Sequence, residues 1–296
     1  VGTWGANGGS HWDMGPADHI KSIKICAKGV VDSIAFMYVV GETAEDTPRY
    51  GGPGGAPNLA CLLLHLHQIF DEEYLTAISG YIGEYGGTPC ISQLTFTTNM
   101  GTYGPYGDGG GTPFNLPVEE GKIARFYGRA GTYLKAIGAI VNTTSMNAPV
   151  IKVGTWGANG GSHWDMGPAD HINSIKICAK GVVDSIAFMY VVGETAEDTP
   201  RYGGPGGAPN LACLLLHLHQ IFDEEYLTAI SGYIGEYGGT PCISQLTFTT
   251  NMGTYGPYGD GGGTPFNLPV EEGKIARFYG RAGTYLKTIG VYLKPN

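Results

Sequence analysis

Residues 2–17 have the sequence GTWGANGGSHWDMGPA, and the same sixteen letters return at residues 154–169. Working outward from this stretch, residues 1–138 match residues 153–290 at a constant offset, and only two positions differ. These are Lys21 against Asn173 and Ala136 against Thr288. Solenoid repeats have only about 20–45 residues, so a repeat of this length is a whole domain that buries its own core.

The segment between the copies, NTTSMNAPVIK, is polar and contains one proline, which is typical of a linker. We therefore predict a first domain at residues 1–141, a linker at 142–152 and a second domain at 153–296. Asn142-Thr143-Thr144 is a glycosylation sequon, which matters only if the chain is secreted.

Composition indicates a turn-rich globular chain, because 50 of 296 residues are glycine and only 15% are charged. A net charge of −9 argues against a nucleic-acid partner, whose binders gather Lys and Arg on one face. There is no leader pattern and no apolar run long enough to span a membrane, so we expect no membrane insertion.

Six cysteines divide into three per copy, an odd number that cannot pair completely within a domain. We therefore expect small buried side chains and a reducing compartment, cytoplasmic or nucleocytoplasmic, with a vacuolar or secreted location left open. The cysteines are Cys26, Cys61, Cys90, Cys178, Cys213 and Cys242.

Short β-branched and aromatic runs alternate with Gly/Pro turns about every ten residues, a pattern typical of an all-β sandwich, barrel or prism. In the first copy the predicted strands are Ile20–Ile25, Val30–Val40, Leu59–His67, Leu75–Tyr85, Ile91–Thr97, Phe114–Leu116, Lys122–Tyr127 and Thr132–Val141.

Four ordered motifs resemble the jacalin-related lectins, in particular their mannose-specific, banana-lectin-like branch. They are GTWGANGGSHWDMGPA, YGGPGGAP, TFTTNMGTYGPYGDGGGTPFNLPV and GKIARFYGRAGTYLKAIG, and together they extend over nearly the whole repeat. The resemblance implies two tandem type I β-prism domains, each of three four-stranded antiparallel sheets. It further implies a plant agglutinin of defence type that binds mannose or glucose glycans and glycoproteins without cofactor or metal, with homo-oligomers left open.

The family's main sugar site joins an early glycine loop to a late GxxxD loop. Glycine lets backbone N–H groups approach a sugar closely, and a carboxylate accepts two hydroxyl hydrogens. Carried onto this sequence, the site comprises Gly9, Gly131, Thr132, Tyr133, Leu134 and Lys135 in the first copy. In the second copy it comprises Gly161, Gly283, Thr284, Tyr285, Leu286 and Lys287.

Lys135 and Lys287 stand where the family has aspartate. An ammonium group donates three hydrogen bonds and accepts none, so it cannot replace the carboxylate. We expect a weakened or altered site, since a charge-assisted hydrogen bond contributes roughly 1.5–3 kcal/mol.

A second family site combines an aspartate-bearing loop with a GGxGG turn. The matching residues are Asp32 with Gly54 and Gly55, and in the second copy Asp184 with Gly206 and Gly207. This site keeps a carboxylate acceptor, so we predict that it binds sugar at least as well as the altered first site.

Several residues admit other interpretations. His65 and His67 with Cys61 suggest a soft metal site, but ordinary strand histidines are favoured. Asp71-Glu72-Glu73 and Glu119-Glu120 are interpreted as solvated turns and not as a glycosidase pair. Trp4, Trp12 and Tyr50 are either sugar platforms or inter-sheet packing, and Asp13 and Asp108 either cap turns or touch ligand.

With no nucleophile and base arranged together in the motifs, we expect a binding protein and not an enzyme. The rival hypothesis is a β-prism interaction or storage protein whose sugar sites have decayed, which the two lysines favour.

Overall fold

The computed structural model describes residues 1–52, 64–69, 72–142, 150–204, 216–221 and 224–294, with the side chains of 64–67 and 216–220 outside the description. The chain divides into two compact units, Val1–Ala148 and Pro149–Asn296. Within the described residues, no helix is long and apolar enough to cross a membrane.

Strands make up most of each described unit. In the first unit they are β1 (Trp4–Gly5), β2 (Ser10–Asp13), β3 (His19–Ala27), β4 (Val31–Val40), β5 (Thr43–Asp46), β6 (Tyr50–Gly51), β7 (Leu64–Gln68), β8 (Leu75–Tyr85), β9 (Thr88–Thr98), β10 (Thr102–Tyr106), β11 (Thr112–Glu120), β12 (Lys122–Ala130) and β13 (Leu134–Asn142). In the second unit they are β14 (Ile151–Gly157), β15 (Ser162–Asp165), β16 (His171–Ala179), β17 (Val183–Val192), β18 (Thr195–Asp198), β19 (Tyr202–Gly203), β20 (Leu216–Gln220), β21 (Leu227–Tyr237), β22 (Thr240–Thr250), β23 (Thr254–Tyr258), β24 (Thr264–Pro269), β25 (Lys274–Ala282) and β26 (Leu286–Lys294).

Each unit folds into three antiparallel sheets, which confirms the predicted β-prism. In the first unit one sheet has the order β1-β13-β12-β2 and the next has β10-β9-β8-β11. The third has the order β7-β3-β4, and β5 and β6 pair with successive parts of β4 as two halves of a fourth strand. The second unit repeats this arrangement with β14 to β26.

The core of the first unit lies where the three sheets meet. Phe36, Phe96 and Phe126 come from three different sheets and are almost completely buried. Phe126 stacks on Phe36 with ring centroids 5.4 Å apart and meets Phe96 edge-on at 5.8 Å. Aromatic pairs of this kind add about 0.5–1.5 kcal/mol beyond the burial of their area. The same triad, Phe188, Phe248 and Phe278, fills the second unit.

The tryptophans belong to the packing between sheets. Trp4 stacks on Phe114 at 5.3 Å and Trp12 stacks on Tyr50 at 4.5 Å, and both indoles are buried. The four cysteines at 26, 90, 178 and 242 are buried, as predicted; Cys61 and Cys213 lie outside the described residues.

The prediction that residues 71–73 form a solvated turn is wrong for Glu73. This carboxylate is buried and accepts hydrogen bonds from the Thr98 hydroxyl at 2.6 Å and the Tyr103 hydroxyl at 2.8 Å. Burial of a carboxylate is tolerated when such donors satisfy it, so Glu73 holds the β9–β10 turn to the start of β8. Glu72 is exposed, as predicted, and Asp71 lies outside the described residues.

Candidate saccharide-binding site

The predicted main site lies where two loops meet at one end of the first unit. Gly9 precedes β2 and Gly131 follows β12, and these strands pair with Ser10 opposite Ala130. The register therefore places the two glycines side by side: a Cβ atom on Gly131 would lie only 3.7 Å from the Gly9 Cα. The structure thus brings together residues separated by most of the domain's sequence.

Gly9 cannot be replaced without distortion. Its φ is +67°, and a Cβ atom there would lie 2.3 Å from the Ala130 carbonyl oxygen. L-residues with a side chain rarely adopt this conformation, and the clash with backbone leaves no room for adjustment. The sequence requires glycine because the Gly9 loop lies directly against the end of β12.

Arg129 fixes the early loop and was missed by the sequence analysis. Its Nε donates to the Gly8 carbonyl at 3.1 Å and its Nη2 donates to the Gly9 carbonyl at 3.2 Å. Both glycine carbonyls are therefore engaged, which holds the loop in one shape before any ligand arrives. The only available signal was an arginine just before a glycine turn, which is too common to identify the role.

Hydrogen bonding and packing hold the late loop, residues 131–134, in place. The Gly131 amide donates to the Tyr133 carbonyl at 3.0 Å, and Leu134 is completely buried, so the turn is anchored at both ends. A Cβ atom on Gly52 would lie 2.2 Å from the Thr132 carbonyl oxygen, so the Gly52 backbone packs directly against the loop. Strand β13 begins at Leu134, not at Thr132 as predicted, because residues 131–133 form this turn.

Lys135 is a structural donor. Its half-buried side chain passes Gly131, and its ammonium group donates to the Pro89 carbonyl at 2.9 Å. The group that replaces the family's carboxylate therefore ties β13 to β9. It supplies no acceptor to a sugar hydroxyl.

Tyr133 has an aromatic neighbour that the sequence analysis missed. Its ring meets Tyr85 edge-to-face with centroids 5.5 Å apart, and Tyr85 is 54% exposed. The two rings form an open apolar patch beside the glycine loops, of the kind that packs against the C–H face of a pyranose.

Asp32 of the predicted second site is buried. Its side chain is 6% exposed, and its Oδ2 has no hydrogen-bond partner in the described part of the chain. Its backbone carbonyl accepts from the Gly52 amide at 3.2 Å, so the Asp32 and Gly131 loops are linked through Gly52. Burial raises the pKa of Asp32, while the nearby Lys28 acts in the opposite direction. Gly54, Gly55, Gly206 and Gly207 lie outside the described residues.

A raised carboxyl pKa means that the folded state holds the proton more tightly than the unfolded chain does. Ionised Asp32 therefore opposes folding at neutral pH, and this penalty vanishes once the pH falls below the unfolded pKa. We expect Asp32→Asn to raise the thermal unfolding temperature at pH 7 and to lose that advantage in acid. Thermal melts from pH 3 to 8 measure this, and a lower unfolding temperature at pH 7 would contradict it.

The second unit repeats the main site with small differences. Gly161 has a φ of +71°, and Arg281 donates to the Gly160 and Gly161 carbonyls at 3.1 and 2.9 Å. Lys287 is only 9% exposed and donates to the Pro241 carbonyl at 2.7 Å. Tyr285 meets Tyr237 edge-on at 5.6 Å; Gly283 and Thr284 lie in the same turn, and Leu286 begins β26. Asp184 is buried like Asp32, with a raised pKa from the same cause.

The metal hypothesis gains no support. Among the described residues no group of three or more His, Cys, Asp or Glu side chains is placed to hold an ion. Cys61 and the side chains of His65 and His67 lie outside the description.

Three antiparallel sheets around an aromatic core define a β-prism, and the glycine-lined loops that meet at one end form a candidate ligand site. Comparison with known proteins agrees. The jacalin-like lectin domain model matches residues 1–140 and again residues 153–292. The chain belongs to the jacalin-like lectin family, with two copies of the domain. This confirms the predicted pair of jacalin-related lectin domains.

Relatives share both halves. A mannose/glucose-specific lectin of Parkia pendula is 34% identical over 304 residues, which cover all of this chain and 64% of that protein. The chain thus spans just under two thirds of that relative's length. An agglutinin of Castanea crenata is 34% identical, with 99% of this chain and 97% of that protein covered.

Solved structures match one half of the chain. The wild-type Malaysian banana lectin is 48% identical over 50% of this chain and 99% of that one, with a TM-score of 0.46. A mannose-binding jacalin-related lectin from Ananas comosus is 36% identical over 50% of this chain and all of that one, with a TM-score of 0.46.

Proposed function

We propose that each domain binds mannose- or glucose-type saccharides between its two glycine loops, without metal or cofactor. The observation that carries the proposal is the juxtaposition of Gly9 and Gly131, held in shape by Arg129 and Gly52 beside the Tyr85–Tyr133 patch. A pyranose has hydroxyl groups on its edge and C–H groups on its face. Backbone groups that approach closely can hydrogen-bond the hydroxyl groups, and an apolar ring can pack against the C–H face. The name of the Parkia pendula relative, a mannose/glucose-specific lectin, supports the same ligand class.

Two sites on one chain make the protein at least bivalent. Linked weak sites exceed either single affinity by orders of magnitude when a glycan surface presents matching spacing. We therefore propose an agglutinin that cross-links glycoproteins or cell surfaces, which it binds more tightly than free monosaccharides.

A second candidate function is an interaction or storage protein with decayed sugar sites. Lys135 favours it, because a structural ammonium replaces the acceptor that the family uses. The glycine loops, Arg129 and the two tyrosines favour a working site of reduced affinity.

Haemagglutination separates these functions. We expect the full chain to agglutinate red cells, with inhibition by methyl α-mannoside and none by galactose at equal concentration. Inhibition by galactose alone would contradict the proposed ligand class. Failure to agglutinate, together with no retention on mannose-agarose at low salt and high protein concentration, would favour the second function.

A further inference from the structure

An open groove of about 750 Å³ leads away from the main site of the first unit. One wall is residues 10–15, the other is residues 46–51 with Tyr38, and the groove ends at Ala130 and Gly131. Gly131 is thus shared with the glycine-loop site. The second unit has a matching groove of about 650 Å³ that ends at Ala282 and Gly283. These volumes lie in the range of small-molecule sites, about 300–1,000 Å³.

The aromatic residue of this groove is held rigidly. Tyr50 stacks on the buried Trp12 at 4.5 Å, and its hydroxyl donates to the Asp13 carbonyl at 3.1 Å. The ring is therefore fixed on one face and half-buried, so ordering it on binding costs little conformational entropy.

The polar groups of the groove suit a neutral hydroxylated ligand. His11, Asp13 and Arg49 are exposed along it, and Arg49 makes no hydrogen bond or ion pair within the described part of the chain. Asp13 uses Oδ1 to accept from the Gly15 amide at 2.8 Å, which leaves Oδ2 as an acceptor. A guanidinium donor and a carboxylate acceptor in one groove match hydroxyl groups that donate and accept, whereas a charged ligand would be repelled by one of the two.

We propose that the groove is an extension subsite for saccharide. It takes the sugar residues that are linked to the one held between Gly9 and Gly131, with Arg49 and Asp13 contacting hydroxyl groups and Tyr50 a C–H face. This inference rests on the proposed function and adds a preference for oligosaccharides over single sugars.

The two grooves are not equivalent. In the second unit the Tyr292 hydroxyl donates to Asp165 Oδ2 at 2.5 Å, so both oxygens of that carboxylate are engaged. The residue matching Tyr292 in the first unit is Ile140, which has no hydroxyl. The first groove therefore has a carboxylate oxygen with full acceptor capacity, whereas each Asp165 oxygen in the second groove already accepts one hydrogen bond, and the first groove binds the extended sugar more strongly.

Calorimetry on the full chain with methyl α-mannoside and with an α-linked mannotriose tests the subsite. We expect wild type to bind the trisaccharide more tightly. Arg49→Ala lowers trisaccharide affinity at one of two sites by about three- to tenfold and leaves methyl α-mannoside affinity unchanged. Asp13→Asn has a similar effect, while the matched Asp165→Asn changes trisaccharide binding less.

The outcomes are distinguishable. If wild type binds neither sugar, the proposed function fails and the subsite with it. If wild type binds methyl α-mannoside but gains nothing from the trisaccharide, or if Arg49→Ala leaves trisaccharide affinity unchanged or weakens both sugars equally, the subsite is overturned and the glycine-loop site remains.

Discussion

A chain carrying Gly9→Ala and Gly161→Ala is expected to lose most of its mannose affinity. Alanine at either position has to adopt a φ near +70° and places its Cβ 2.3 or 2.5 Å from a backbone carbonyl oxygen, so the loop moves away from β12 or β25. Backbone strain of this kind costs about 1–3 kcal/mol, which corresponds to roughly five- to hundredfold in affinity if binding requires the native loop. Calorimetric titration with methyl α-mannoside measures the loss.

The chain offers a matched control. Gly41 and Gly193 have φ values of +61° and +60°, but nothing lies within 4 Å of a Cβ atom at either position. Gly41→Ala with Gly193→Ala therefore introduces the same backbone strain without the clash, far from the glycine loops in sequence. Equal affinity losses in both double variants would mean that general destabilisation, and not the loop, causes the effect.

The single glycine variants test bivalency. We expect Gly9→Ala alone and Gly161→Ala alone to stay on mannose-agarose, because one site remains, and to lose haemagglutination, because cross-linking requires two. Agglutination by either single variant at wild-type titre would show that two sites on one chain are not what cross-links the cells.

Replacing Lys135 and Lys287 by aspartate is expected to strengthen mannose binding by about ten- to hundredfold, since it restores an ionised acceptor at the end of the late loop. The change removes the hydrogen bonds to the Pro89 and Pro241 carbonyls, so we also expect a lower unfolding temperature. Lys287 is almost buried, so its replacement costs more stability than that of Lys135.

The methionine variants Lys135→Met and Lys287→Met provide the control, because methionine keeps the apolar stem and removes the ammonium without supplying an acceptor. Calorimetry should rank the aspartate chain first in affinity. Equal affinities of the aspartate and methionine chains would contradict the assignment of the missing carboxylate as the cause of weak binding.

The near-exact repeat predicted two domains, and the regular Gly/Pro spacing predicted an all-β fold. The family resemblance carried by the four ordered motifs implied the β-prism and the main loops. The sequence analysis missed short strands such as Ser10–Asp13 and Thr102–Tyr106, whose glycine, proline and polar residues do not alternate clearly. Each of them pairs with a longer strand, β2 with β12 and β10 with β9.

Side-chain roles were harder to predict than strands. Arg129 and Tyr85 reach the glycine loops through partners distant in sequence, and Asp32 is buried although it follows a lysine–glycine turn. Glu73 is likewise buried because Thr98 and Tyr103 reach it from another part of the chain. Such contacts depend on sheet register, which no local pattern contains.

We propose that the main-chain groups of residues 9 and 131–134, and of their counterparts 161 and 283–286, hold a hexose. A crystal structure of the full chain grown with methyl α-mannoside tests this most directly. We expect ring-shaped density between the two glycine turns in both domains, with hydroxyl groups within hydrogen-bonding distance of backbone nitrogen. Density for solvent alone at both places, under saturating sugar, would contradict it.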